Sequence, residues 1–140
     1  FVFDLDLAKK ESNENPVYYI QYAHARISSI MKHAAEANVD ISALADADLS
    51  LLSEPEEMSL MKQITRFPSV VESVAETREV HRIPTYILEM VGLFHSYYNK
   101  HRVVTDDKSV TLSRLALVEA VRIVVKNALG LLGIEAPERM

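Results

Sequence analysis

Cysteine is absent from the 140 residues, and glycine occurs only three times. Without cysteine there is no disulfide framework, no thiol nucleophile and no thiolate for the commonest structural zinc sites. Three glycines leave no room for a glycine-rich phosphate loop, and with five prolines they supply few turns for a β-sandwich. No apolar run approaches the roughly 18–20 residues that a membrane helix needs. The start, FVFDLDLAKK, carries Asp4 and Asp6 where a signal peptide would be basic. A reducing, cytoplasmic setting and no membrane partner are therefore expected. The first residue is Phe1 rather than Met, which fits a piece of something longer or a processed product.

Positive charge is also scarce. The formal charge is -5, which excludes a binder driven by bulk attraction to phosphates and speaks against a DNA partner. The imbalance is local: residues 1–60 hold 4 basic and 11 acidic side chains, residues 61–140 hold 11 and 9. Any face that meets an anion is expected to draw its cations from the second half. The remaining composition, 49% hydrophobic and 25% charged, is that of one soluble domain able to build its own core.

What is present is helical periodicity, and its breaks are legible. A short helix is expected from Phe3 to Lys10, ending in the polar cluster Ser12-Asn13-Glu14-Asn15. Pro16, at a first-turn position, opens a long helix to about Ala37. Residues 39–52 read as loop or a short helical turn, with Asp46 and Asp48 as breakers. Ser53-Glu54-Pro55-Glu56 reads as a capping box with Ser53 as the cap and Glu56 reaching back. The helix it starts runs to about Arg66, where Phe67-Pro68 breaks it, and another follows to about Val80. Ile83-Pro84 starts a helix to about Val103. A polar loop of Asp106, Asp107 and Lys108 then precedes a last helix from Thr111 to Leu132, stopped by Gly133. That last helix is apolar around most of its circumference, as a central, covered helix would be. The fold class is all-α, a bundle of about five to six helices.

Catalytic chemistry has little to stand on. There is no GxSxG elbow, no HExxH pair and no cysteine. The acid pairs Asp4/Asp6, Asp46/Asp48 and Glu56/Glu57 read as solvated faces or helix-start charges. The histidines (24, 33, 81, 95 and 101) form no metal-ligand spacing, and no metal site is expected. His24, within AHAR, and His95, beside two tyrosines, are the two to watch. The aromatics are more telling. Tyr18, Tyr19 and Tyr22 open the second helix, and Tyr97 and Tyr98 lie near the end of the fifth. Spacings of three and four put Tyr19, Tyr22 and Arg26 on one surface. Tyrosine offers a face on which an unpaired base stacks and a hydroxyl for a base edge. The same rings would serve as core packing with hydroxyls at the rim, and composition does not choose between the two.

Four strings, in order, resemble one family. NENPVYYIQYAHARI at 13–27, FHSYYNKHRV at 94–103, RLALVEAVRIVVKNALGLLGI at 114–134 and APERM at 136–140 are similar to the anticodon-binding (DALR) domain of bacterial arginyl-tRNA synthetases. The resemblance implies a helical bundle of the class I aminoacyl-tRNA synthetase anticodon-binding type. It makes residues 1–15 a connecting segment from the catalytic domain of the same chain, and 16–140 the domain itself. It implies arginine tRNA as partner, held by its anticodon loop, while the absent catalytic domain uses ATP with Mg to ligate arginine. The signature motifs of that catalytic domain do not occur here, so the piece alone is expected to be inactive and to hold no cofactor. MSLMKQ at 58–63 is only a superficial echo of one of them.

Residue by residue, Tyr19 and Tyr22 match tyrosines that face the anticodon loop, and Tyr98 an aromatic that approaches a splayed base. Asn99 is expected as a hydrogen-bond partner for that base, and Met140 matches a terminal methionine lying against the anticodon. Arg26, His95 and Arg102 extend the set as phosphate or base contacts. Arginine anticodons share a central cytosine, so a pocket for that base is expected. The alternative from another class, a helical protein-interaction module without RNA contact, would put Tyr19, Tyr22 and Tyr98 in the core with no shared open surface.

Overall fold

The computed structural model describes residues 3–140. Phe1 and Val2, the start of the expected connecting segment, lie outside the described residues. Among those described there are six α-helices and no strand: α1 (Leu5–Lys9), α2 (Pro16–Glu36), α3 (Pro55–Thr65), α4 (Phe67–Thr77), α5 (Arg82–Lys100) and α6 (Lys108–Leu131). None is long and apolar enough to cross a membrane.

The helix starts follow side-chain capping. Asn15 works in both directions: its Oδ1 accepts from the amide of Val17 at 3.1 Å, and its Nδ2 donates to the carbonyls of Ala8 and Lys10 at 3.0 Å each. The same residue thus caps α2 and ties α1 to it. Asp107 caps α6 through the amides of Ser109 and Val110, so this helix begins three residues before the expected Thr111. The capping box of α3 is displaced by one residue from the expected Ser53/Glu56 pair. Glu54 is the cap and its amide donates to Glu57 Oε2 at 3.0 Å. The reason is Pro55, which forces the residue before it out of helical geometry and so fixes Glu54 as the last extended position. Glu56 is thereby released for other contacts.

Between α2 and α3 the chain makes two short 3-10 turns, Ile41–Asp46 and Leu49–Leu51. Each follows an Asp-x-Ser step. Asp40 Oδ1 accepts from the amide and hydroxyl of Ser42, and Asp48 repeats this with Ser50. The α4 helix stops at Thr77 because Arg78 turns to φ 61°, a conformation that costs a side-chain-bearing residue about 1–2 kcal/mol. Arg78 is exposed, so Arg78→Gly is expected to stabilise the chain by roughly 0.5–1 kcal/mol after glycine's own entropy cost. Urea unfolding would show it as a raised midpoint with an unchanged slope.

The core lies where α2, α5 and α6 meet, with α3 against both α5 and α6 and α4 against α5. Ile27, Met90, Phe94, Tyr97, Leu115, Val118 and Leu129 are fully enclosed there. The α6 helix is covered on most sides, as its composition predicts, but Ile123 and Leu131 are about half exposed. By contrast α1 buries no residue.

Candidate nucleic-acid interface

Tyr19, Tyr22 and Arg26 occupy one face of α2, and that face meets His95 and Tyr98 of α5. The imidazole of His95 lies 5.0 Å from the Tyr19 ring centroid and 6.1 Å from that of Tyr22, nearly parallel to the latter. The Arg26 guanidinium carbon sits 5.6 Å over the Tyr22 ring and 5.0 Å over the Tyr98 ring. Phe94, from the core, supports the patch from below, stacked 5.9 Å from Tyr98 and 5.3 Å from His95. Five expected residues, 19, 22, 26, 95 and 98, therefore form one cluster. Its rings are half-buried and Arg26 is exposed. Such a patch is rigid at its base and open at its rim.

Its electrostatics are simple. Burial and the neighbouring Arg26 charge push His95 below the ordinary imidazole range, so its ring is neutral at pH 7. Burial pushes the Tyr19 hydroxyl up, so it keeps its proton. The cluster thus presents neutral rings around one permanent cation. Tyr98 also borders a cleft of about 390 Å³ lined by Ile30, His33, His101, Arg102, Val103 and Val104. That volume is within the range in which organic ring systems bind, and it brings Arg102 beside the cluster. Asn99 and Met140 are exposed, and the contacts that unite the other five residues do not include them.

Tyr97 departs from its neighbour. It is fully enclosed and its hydroxyl donates to Glu57 Oε1 at 3.3 Å. The buried carboxylate of Glu57 also accepts from Arg114 Nε at 2.9 Å, and Arg114 donates onward to the Arg102 carbonyl at 2.8 Å. One network therefore links α3, α5, α6 and the segment after α5 that carries Arg102. Burial and the adjacent Glu57 charge push the Tyr97 hydroxyl far up. Sequence reading missed Glu57. Its signal was its register: it shares an α3 face with the core residue Leu60 and the half-buried Met61 and Ile64.

In the same first turn of α3, Glu56 binds Lys100 and, at 3.1 Å, the Nε2 of His101. These two partners hold its carboxyl at about 2, well below the usual range. Glu54, Glu56 and His101 offer ligand atoms within 4.8 Å of one another, and Glu56 is already bound to the Lys100 ammonium and to the His101 ring.

His24 does not join the aromatic cluster. It is 1% exposed, facing α6 and the segment that follows it, and its Nδ1 lies 2.8 Å from the Pro137 carbonyl. A carbonyl only accepts, so Nδ1 carries the proton and Nε2 is the bare, buried nitrogen. Burial is the main cause of its lowered pKa; the Arg122 and Lys126 charges add to this, while the Pro137 bond and Glu138 oppose it. Beside it, Gln21 Nε2 donates to the Glu135 carbonyl at 2.9 Å.

With this geometry described, the chain can be set against known proteins. The family described as "DALR anticodon binding domain" matches residues 20–140. The chain is 52% identical over 139 residues to an arginine–tRNA ligase of Geotalea daltonii, covering 99% of the chain and 25% of that protein. It is 47% identical over 140 residues to the arginine–tRNA ligase of Staphylococcus epidermidis, covering 100% and 25%. The chain spans about a quarter of the length of the curated relatives it matches. Among solved structures it resembles the arginyl-tRNA synthetase of Thermus thermophilus, with TM-score 0.75 and 31% identity, over 95% of the chain and 22% of that protein. A Campylobacter jejuni protein assigned as an arginyl-tRNA synthetase superposes with TM-score 0.86 at 33% identity, over 99% of the chain and 29% of that protein.

Proposed function

Because the chain belongs to the DALR anticodon binding domain family, we propose that its aromatic cluster holds the anticodon loop of arginine tRNA. The partner domain, in a longer parent chain, would ligate arginine to that tRNA with ATP and Mg. The observation that carries this reading is the meeting of Tyr19, Tyr22 and Arg26 on α2 with His95 and Tyr98 on α5 at a half-open surface. A protein-interaction module that used these tyrosines only for packing would enclose them, as Tyr97 is enclosed.

The binding mechanism follows from the parts. Bases of a splayed loop stack on the tyrosine and imidazole faces, each contact contributing about 1–3 kcal/mol. Arg26 and Arg102 supply cations for a phosphate or a base edge, with Asn99 and Met140 as further contacts at the exposed ends of α5 and of the chain's last segment. In this reading residues 1–15 connect the domain to the catalytic part and 16–140 form it; the lack of any buried residue in α1 supports the boundary. A cytoplasmic location follows from the same function.

The test is aminoacylation by the full-length ligase of arginine tRNA altered at the central anticodon base. The altered tRNA should be charged with a raised KM, and Tyr22→Ala or Tyr98→Ala should shrink the difference between altered and natural tRNA. A base change that costs the same with all three proteins would reject the assignment.

A further inference from the structure

The α5 helix stops at Lys100, and the backbone turns extended at His101. From there His101, Arg102, Val103 and Val104, none in a helix, all line the cleft beside Tyr98. The His101 amide still donates to the Tyr97 carbonyl, but beyond it no helix ladder holds the stretch. The shape of the cleft therefore depends on ties from other elements. Val103 is buried, and Arg114 of α6 donates to the Arg102 carbonyl. A third tie comes from α3.

That tie grips His101 from two sides. Its ring stacks on the enclosed Tyr97, with centroids 5.3 Å apart and planes at 29°, and its Nε2 lies 3.1 Å from Glu56 Oε2. A carboxylate only accepts, so Nε2 carries a proton and donates it. The other oxygen, Oε1, takes the Lys100 ammonium. One carboxylate thus binds the last residue of α5 and the first beyond it, where the helix stops and the cleft wall begins. Side-chain exposures of 21% for Glu56 and 17% for His101 put this pair partly out of solvent, where screening is weaker than at an open surface. The start of α3 does not need Glu56 as a cap, because Glu54 and Glu57 form its capping box.

We propose that Glu56 is a positioning residue for RNA binding: through His101 it fixes the cleft wall, and so holds Arg102 beside Tyr98. This rests on the anticodon-loop reading of the aromatic cluster. The sign of the effect separates position from charge. Removing a carboxylate and freeing Lys100 would, by charge alone, tighten binding to a polyanion. Loss of a positioning contact loosens it.

The test uses the full-length ligase. Glu56→Leu removes both acceptor oxygens and should raise KM for arginine tRNA about 3- to 10-fold, the span of one lost hydrogen bond, with little change in kcat. Glu56→Gln keeps one carbonyl oxygen for the His101 donor and should recover most of the loss. His101→Phe keeps the stack on Tyr97 without the Nε2 donor; it should match Glu56→Leu, and the double variant should be no worse than either. In an Arg102→Ala ligase, Glu56→Leu should add nothing. An unchanged or lowered KM in Glu56→Leu would mean that only its charge is felt by the RNA, and would overturn the proposal. So would an equal penalty in the Arg102→Ala ligase, which would make Glu56 a support of the bundle at large. If Tyr22→Ala raises KM while Glu56→Leu does not, the positioning role falls and the anticodon reading stands; if neither raises it, both fall.

Discussion

Replacing Arg114 by leucine is expected to lower the stability of the chain by about 3–5 kcal/mol, read from urea unfolding at pH 7. Glu57 is fully enclosed and the Arg114 side chain is 15% exposed, so the substitution strips a buried carboxylate of its one ion-pair partner among the described residues. What remains to it is the Tyr97 hydroxyl and the Glu54 amide. Desolvation of an unpaired charge, and not the strength of the ion pair itself, sets this cost. The double variant Glu57→Leu/Arg114→Leu should therefore recover much of the loss, because it removes the orphaned charge along with the pair. Tyr97→Phe, which gives up one long hydrogen bond, should cost about 1 kcal/mol. A single-variant cost below about 1 kcal/mol would mean that water reaches Glu57 and that the network is a surface feature. The network also bears on the site, since Arg114 grips the Arg102 carbonyl. Variants that survive unfolding should thus still lose tRNA affinity.

Helix number and order were legible because proline, asparagine and aspartate mark the helix starts in this chain, and each acts locally. Pro16, Pro55 and Pro68 all lie in first turns. Where reading the sequence slipped, the cause was a rule acting between neighbours. Glu54 rather than Ser53 caps α3 because of the residue after it, and Arg78 ends α4 by entering a conformation that arginine seldom adopts. The site divides along a similar line. The shared face of Tyr19, Tyr22 and Arg26 follows from helical spacing alone. That His95 and Tyr98 meet it depends on how α5 crosses α2, a tertiary fact that spacing does not hold. Tyr97 and Tyr98 are chemically alike and adjacent, yet a 100° rotation sends one to Glu57 in the core and the other to Arg26 at the surface. Glu56 and Glu57 separate in the same way, one to Lys100 and the other to Arg114. The buried member of each pair is the one whose role needed the structure.

Tyr22→Ala and Tyr98→Ala, each in the full-length ligase, are expected to raise KM for arginine tRNA by about 5- to 150-fold, the span of one lost base stack. Tyr98 packs against the core, so its alanine variant mixes lost stacking with lost support. Tyr98→Leu separates them: it restores apolar bulk without a π face, and should bind tRNA nearly as poorly as Tyr98→Ala. Tyr98→Phe keeps the face and should bind nearly as well as tyrosine. The opposite order, with phenylalanine weak and leucine strong, would make the hydroxyl or the bulk responsible and would reject stacking. Salt supplies an independent check. With Arg26 and Arg102 as the cations placed at the cluster, about two neutralised phosphates give a log–log slope of about -1.4 for single-stranded RNA. The net charge of -5 offers no bulk attraction to phosphates that would steepen it. A slope several times larger would mean that the phosphate backbone, and not the bases on these rings, carries the affinity.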